Sequence, residues 1–284
     1  MANTAPDIPA AEAAPQERHP TVLRHRLPTR LWHWLNALTV FVMLMSGLMI
    51  FNAHPRLYWG QYGANFDRPW LEIGATATGG FLQVGDRQFD TSGWLGRWKD
   101  PGGRERARAF PWWATIPSTY DLAGARRWHL AFAWLLVVPG LLYAVWSLAS
   151  GHARRDLVPA RSELSPRQLW HDVKDHARLR FPSGEAALRY TVLQKLAYCG
   201  VLFILLPLMV LTGLAMSPAM DAAWPWLLDL FGGRASARSI HFLCAAAILL
   251  FIAVHLAMVL LAGPINEIRS MITGRFRPRR GRAG

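Results

Sequence analysis

The sequence predicts an all-α integral membrane protein, a four-helix bundle with a long periplasmic loop between spans one and two. Two observations carry this prediction. The composition is 52% hydrophobic and only 17% charged, which is unlike an ordinary soluble enzyme. In addition, four stretches contain no Asp, Glu, Lys or Arg and reach the roughly 20 residues that a helix needs to cross a bilayer. They are residues 31–51, 128–149, 196–216 and 239–262.

The basic charge of the chain predicts its orientation. The net charge is +13, and 19 of the 31 Lys and Arg residues lie in segments 1–30, 151–195 and 266–284. These segments share one side of a four-span protein, and basic residues concentrate on the cytoplasmic side. Both termini are therefore expected in the cytoplasm of a bacterium, with the protein in its inner membrane. The basic C-terminal tail could bind RNA or anionic lipid, but topology alone explains the charge, so membrane lipid is the expected partner and nucleic acid is not.

The segments outside the spans divide the chain into three parts. Residues 1–20 are rich in Ala and Pro and lack the features of a secretory signal, so they are expected to form a disordered cytoplasmic tail. Residues 21–265 are expected to form the four-span domain, and 266–284 a basic cytoplasmic tail. Two cysteines, Cys199 and Cys244, lie within spans and are expected to pack rather than form a disulfide.

Three connections have distinct expected structures. The periplasmic insertion 52–127 combines many tryptophans and glycines, so it is expected to fold against the outer membrane face and to offer a docking surface. A short amphipathic helix is expected around Pro166–Leu179, where His171 and His176 lie on a solvated face. Residues Ala223–Phe231 are expected to form one interfacial helix.

Histidines within the spans are the strongest functional signal. Ionisable groups are costly at membrane depth and usually face the bundle interior with a partner or ligand. Of the ten histidines, four lie in spans: His33, His129, His241 and His255. The last two are 14 residues apart. On a helix this spacing brings them within about 40° of one direction and about 21 Å apart in depth.

The direction of each span pairs these histidines by depth. Spans one and four bring His33 and His255 to the cytoplasmic level, whereas spans two and four bring His129 and His241 to the outer level. Each pair can supply two axial nitrogens to a planar group, which is what six-coordinate haem iron requires. Zinc would need further thiolate, carboxylate or water ligands, and the spans contain no Asp or Glu.

Other residues near the histidines suit a haem. Haem propionates need cations at the membrane surface, and four arginines within one turn of the histidines are candidates: Arg30, Arg126, Arg127 and Arg238. Each alone is better explained by topology or snorkelling, but the four together favour haem. The segments Met43–Leu48 and Met209–Leu214 form a weak repeat. Their glycines, Gly47 and Gly213, would leave room either for a macrocycle or for close helix packing.

The sequence resembles the prokaryotic cytochrome b561 group, which includes the b-type subunits of nickel–iron hydrogenases, formate dehydrogenases and thiosulfate reductases. The matching pieces are residues 30–37 (RLWHWLNA), Trp128-His129, Tyr190…Gln194-Lys195…Tyr198 and the His241/His255 pair. The resemblance implies two stacked haem b groups bound by the four histidines. It also implies quinone near the cytoplasmic-side haem, with Gln194, Lys195 and Tyr198 as candidate contacts. Lys195 is equally explained as an interfacial anchor.

The expected function is electron transfer between the quinone pool and a periplasmic redox partner, either a molybdenum-dependent enzyme or a cytochrome. The insertion 52–127 is longer than a minimal family member requires and is expected to determine the partner. Two alternatives stay open: a stand-alone membrane oxidoreductase that reduces ferric iron or superoxide, and a haem-free transporter. The transporter is disfavoured because a proton relay would favour carboxylates in the spans.

Overall fold

Four long apolar helices form the core of the structure. The computed structural model describes residues 21–63, 66–178 and 190–277, so the expected disordered tail 1–20 and residues 278–284 lie outside the described residues. The four helices with the length and hydropathy of membrane spans are Leu27–Phe51 (α1), Leu122–Ala149 (α2), Val192–Ala215 and Arg234–Ala262 (α8). Each predicted span falls within one of these helices, except that the third predicted span extended one residue further, to Met216.

The helix starts follow local sequence signals. Pro28 lies in the first turn of α1, where a missing backbone N–H costs nothing. The Asp121 side chain caps α2 by accepting a hydrogen bond of 2.8 Å from the Gly124 amide. The third span begins with a capping box, in which the Thr191 and Gln194 side chains accept hydrogen bonds from each other's backbone amides.

The third span is not a uniform α-helix. It consists of α4 (Val192–Gly200), a π-helical turn (Val201–Leu205) and α5 (Leu206–Ala215). Pro207 follows this turn directly, and proline lacks the amide hydrogen that would continue the α-helical pattern. The wider turn accommodates this loss within a helix that still crosses the apolar layer.

The all-α prediction is wrong for the segment between α1 and α2, where most of the regular secondary structure is β-strand. Its strands are β2 (Arg56–Leu57), β3 (Leu71–Ala75), β4 (Gly80–Val84), β5 (Arg87–Asp90), β6 (Gly96–Lys99) and β7 (Glu105–Arg108). Strands β2-β3-β4-β5 form one antiparallel sheet, and β6 and β7 form a hairpin. The turn between β4 and β5 is Gly85-Asp86, where Gly85 has φ +58°, as tight hairpins require.

This β-rich unit packs on the end of the bundle where α1 finishes and α8 starts. Its buried core joins Phe51, Leu57, Ile73 and Ala109 and contacts Phe242 of α8. The Trp70 indole donates a hydrogen bond of 3.0 Å to the Ser239 hydroxyl, which donates one of 2.6 Å to the Tyr58 carbonyl. The unit is therefore attached to the first turns of α8, next to His241.

Both described ends of the chain meet at the opposite end of the bundle. Strand β1 (Val22–Leu23) pairs antiparallel with β8 (Arg275–Phe276), which follows α9 (Pro264–Thr273). Helix α1 separates β1 from the β-rich unit, so these two features lie at different ends of the bundle.

Two of the short helices differ from their predicted bounds. Helix α3 runs over Pro166–Ala177, and the last residue of its predicted range, Leu179, lies outside the described part of the chain. The helix predicted over Ala223–Phe231 corresponds to α7 (Pro225–Leu230), and a separate helix, α6 (Pro218–Ala223), precedes it. The break falls at Trp224 because a proline disfavours helical conformation in the residue before it.

His25 gives the β1 end a predicted pH dependence. Burial, with a contribution from the neighbouring Arg24 charge, lowers the pKa of His25 to about 4 from an ordinary value of 6.5. The neutral form is thus the folded one, and its stabilisation is complete above pH 6.5 and is lost as the pH falls toward 4. We expect acidification from pH 7.5 to 5 to lower the thermal unfolding temperature in detergent, because the free energy of unfolding should fall by at most roughly 2 kcal/mol over this interval.

The matched variant for this test is His25→Phe, which keeps a ring beside Tyr190, 6.4 Å away between centroids. Its unfolding temperature should depend less on pH over the same interval. Equal slopes in the two proteins would contradict the assignment of the pH dependence to His25.

Candidate functional site

The four histidines of the spans come together as two pairs. The ring centroids of His33 on α1 and His255 on α8 are 6.3 Å apart, with 58° between the ring planes. The centroids of His129 on α2 and His241 on α8 are also 6.3 Å apart, at 57°. The structure thus brings together the same partners that the depth argument paired. His129/His241, here called the outer pair, lies toward the β-rich unit, and His33/His255, the inner pair, lies toward strands β1 and β8.

The outer pair is oriented by hydrogen bonds to the ring nitrogen Nδ1. His129 Nδ1 lies 3.1 Å from the Met43 carbonyl and 3.1 Å from the Ser46 hydroxyl, both on α1. The Ser46 hydroxyl donates its own hydrogen to the Val42 carbonyl at 2.7 Å, so it accepts from the imidazole. Nδ1 therefore carries the proton, and Nε2 is the nitrogen left to bind a metal.

His241 has the same environment on α5. Its Nδ1 lies 2.9 Å from the Thr212 hydroxyl, which donates to the Leu208 carbonyl at 2.5 Å. The Met209 carbonyl is a further partner of the imidazole. A Cβ atom at Gly213 would lie 3.6 Å from His241 Cε1, and one at Gly47 would lie 3.4 Å from His129 Cε1. The two glycines therefore stand directly against the imidazole rings of the outer pair.

The inner pair has different surroundings. His33 Nδ1 is buried and has no hydrogen-bond partner among the described residues. His255 stacks on Phe251 with centroids 5.9 Å apart, and Phe251 in turn contacts the Tyr198 ring at 6.2 Å. Aromatic side chains therefore surround the inner pair, whereas hydrogen bonds to hydroxyl and carbonyl groups orient the outer pair.

The donor set and spacing fit haem iron. Two imidazoles on opposite faces of one iron, with metal–nitrogen bonds of about 2.0–2.1 Å, have ring centroids roughly 6.4 Å apart. Both pairs match this separation at 6.3 Å. Among the described residues no group of three or more His, Cys, Asp or Glu side chains is close enough to hold a metal ion by itself. Each pair therefore supplies two nitrogens, as a porphyrin-bound iron requires.

The four arginines predicted as propionate partners are not equivalent. Arg30 donates to the Ile272 carbonyl of α9. Arg238 donates to the His54 carbonyl, and its guanidinium lies 5.3 Å from the centre of the Phe51 ring. Arg126 and Arg127 are exposed in the first turns of α2. Two of the four thus have structural partners that sequence reasoning did not anticipate.

The three residues predicted near quinone, Gln194, Lys195 and Tyr198, all lie on α4. Gln194 takes part in the capping box, and its Oε1 accepts from the Thr191 amide at 3.1 Å. Lys195 is 9% exposed and donates to both carboxylate oxygens of Glu163, at 2.9 and 2.8 Å. Tyr198 is the member of this set that reaches the inner pair, through its contact with Phe251.

Comparison with known proteins identifies the family. The sequence profile of the prokaryotic cytochrome b561 family matches residues 24–274, which include all four long helices. The chain belongs to the prokaryotic cytochrome b561 family. It is also 27% identical over 232 residues to a protein of Azospira oryzae provisionally named protein-methionine-sulfoxide reductase subunit YedZ1, covering 82% of this chain and 87% of that protein. No solved structure is significantly similar to this chain.

Membership in the cytochrome b561 family makes this chain a multi-pass membrane protein of a family that binds haem b. Sequence reasoning missed the hydroxyl groups of Ser46 and Thr212 in this cytochrome. The signal for them was the repeat Met43–Leu48 and Met209–Leu214, in which a hydroxyl residue precedes each glycine. Only the glycines of this repeat, Gly47 and Gly213, were identified from the sequence as candidate site residues.

Proposed function

We propose that this protein transfers electrons between the quinone pool and a periplasmic redox enzyme through two haem b groups. His33 and His255 hold the inner haem, and His129 and His241 hold the outer one. The single observation that carries the proposal is the presence of two histidine pairs, each with ring centroids 6.3 Å apart, at two depths of one bundle. The 14-residue separation on α8 places the two levels about 21 Å apart along the helix.

Bound haem iron supplies one-electron redox chemistry, and the protein supplies position and surroundings. Helix α8 contributes a histidine to both sites, so the two haems share one rigid element. Quinone would exchange electrons with a haem held by the inner pair, close to the aromatic contacts that join Tyr198 to Phe251 and Phe251 to His255. Lys195 and Gln194 shape that region through their contacts with Glu163 and Thr191 rather than as direct quinone contacts.

The proposed orientation has both termini in the cytoplasm and the β-rich unit in the periplasm. The pairing of β1 with β8 supports a common side for the two ends, and the charge distribution supports the cytoplasm as that side. The domain proposal follows: a four-span haem domain over residues 21–265, with 52–127 as its periplasmic insertion.

The partner is proposed to be a periplasmic enzyme of the sulfoxide-reducing class. The name of the Azospira oryzae relative, a subunit of a protein-methionine-sulfoxide reductase, supports this class. The β-rich unit packs beside His241 and presents exposed aromatic side chains such as Trp94 and Trp113, which are 70% and 55% exposed. Aromatic residues are enriched at protein interfaces, so this unit is the proposed docking site. With such a partner, electrons flow from quinol outward.

Haem stoichiometry and quinol reduction test the proposal. We expect the purified full-length protein to contain two haem b per chain by its pyridine haemochrome spectrum. A short-chain quinol should reduce these haems, at a rate that stopped-flow absorbance measures. A chain with one haem or none, or haems that dithionite reduces but quinol does not, would contradict it.

Accessibility to an impermeant thiol reagent tests the orientation. Ala77→Cys lies in the exposed turn between β3 and β4, and Ser162→Cys lies in the exposed connection before α3. In spheroplasts, which lack the outer membrane but keep an intact inner membrane, we expect the first variant to be labelled. The second variant should be protected until the inner membrane is permeabilised. The opposite pattern would invert the topology.

A further inference from the structure

Two buried hydroxyl groups occupy equivalent positions beside the outer histidines. Ser46 and Thr212 are both 0% exposed, and each lies directly before the glycine that contacts the neighbouring imidazole. Each hydroxyl donates to the main-chain carbonyl four residues earlier, at Val42 and at Leu208. This arrangement leaves the oxygen lone pairs available to accept from the imidazole Nδ1–H, which also lies against the Met43 carbonyl at His129 and the Met209 carbonyl at His241.

A hydrogen bond accepted from Nδ1–H changes the imidazole as a ligand. It fixes the tautomer that leaves Nε2 free, and it draws the ring toward imidazolate, which makes Nε2 a stronger electron donor. A stronger donor stabilises ferric iron more than ferrous iron, because the ferric ion carries the larger positive charge. The reduction potential of a haem bound by such imidazoles is therefore lowered.

In the inner pair, His33 has no corresponding hydrogen bond from Nδ1 to a hydroxyl group among the described residues. The His33 Nδ1 atom is buried without a hydrogen-bond partner in the described part of the chain. Around His255 the described contact is the stacked Phe251 ring. The electronic effect described above is therefore specific to the outer site.

We propose that Ser46 and Thr212 are positioning residues that lower the reduction potential of the outer haem, by accepting hydrogen bonds from its two axial histidines. This inference rests on the proposed function, since it takes His129 and His241 as the ligands of that haem. The repeated segments of α1 and α5 then each supply one hydroxyl group to a histidine of the same haem site. The two hydrogen bonds would make the outer haem a stronger reductant than the same site without them, which favours delivery of electrons to an enzyme docked on the β-rich unit.

Redox titration of the full-length protein tests the inference. We expect Ser46→Ala and Thr212→Val each to raise the midpoint potential of the outer haem, and the double variant to raise it further. Loss of either hydroxyl should change the equilibrium constant for reduction of that haem by a factor of about two to ten. A tenfold change corresponds to about 59 mV for one electron. The inner haem should keep its potential. A parallel titration of His255→Ala, which retains the outer haem alone, assigns the two components.

Two controls separate the hydroxyl effect from packing. Ser46→Thr and Thr212→Ser retain the hydroxyl and should retain the wild-type potentials. Thr39→Val is the matched variant, because Thr39 is also on α1 and 0% exposed but its hydroxyl has no hydrogen-bond partner among the described residues. It should shift neither haem.

The outcomes are distinct from those for the proposed function. Wild-type protein with two haems whose potentials are unchanged in the double variant would overturn this inference alone. A shift of the inner haem, or an equal shift in Thr39→Val, would also overturn it. If a variant loses the outer haem and keeps the inner one, the positioning role is supported. Loss of both haems from Ser46→Ala would contradict that role.

Discussion

Replacing His33 or His255 by Ala is expected to remove the same haem, the inner one, and to leave the outer haem in place. The reason is that the two rings face each other at 6.3 Å, so either change leaves the iron with a single protein ligand and a hole in the bundle. Replacing His129 or His241 should remove the outer haem by the same reasoning. The haem content per chain should fall from two to one in each case, measured by the pyridine haemochrome spectrum of protein purified in detergent.

Double variants make this prediction specific to the pairing. His33→Ala with His255→Ala should cost one haem, whereas His33→Ala with His129→Ala should cost both. His171→Ala is the matched control, because His171 is an exposed histidine of α3 outside the spans. A finding that His33→Ala and His241→Ala affect a common haem would refute the pairing.

The second large effect is expected at Lys195, where the structure supports an ion pair and the sequence left a quinone contact open. Lys195 is 9% exposed and is held by Glu163, whose side chain is 33% exposed. Lys195→Met removes one member of this pair. We expect a loss of thermal stability below the roughly 3–5 kcal/mol typical of a fully buried pair, because solvent screens Glu163.

The double variant Lys195→Met with Glu163→Gln distinguishes the two roles of Lys195. If the lysine acts through the ion pair, the double variant should recover much of the stability that the single variant loses, and quinol should reduce its haems at nearly the wild-type rate. Stability that recovers while quinol reduction stays slow would instead identify Lys195 as a contact of quinone. Both measurements use the same purified protein.

The lengths of the uncharged apolar stretches were sufficient to place the membrane helices. A helix that crosses the hydrocarbon layer needs about 20 apolar residues, and it must form its backbone hydrogen bonds internally because lipid offers none. A membrane span can therefore be recognised from a local stretch of sequence. The β-rich unit was missed because tryptophans and glycines were taken as signs of an interfacial segment. Its hairpin signal was nonetheless present in the alternating residues around Gly85-Asp86, and Gly85 adopts the positive φ that this turn needs.

The sequence alone determined four spans, and the spacing of His241 and His255 with the direction of each helix determined which histidines can share a depth. Those properties depend on helix geometry and hydropathy, which are local. Only the tertiary structure decided the hydrogen bonds of Ser46 and Thr212 to the outer histidines, the ion pair of Lys195 and the meeting of β1 with β8. These contacts join residues from different elements, and their partners are set by how the helices pack rather than by any spacing along the chain.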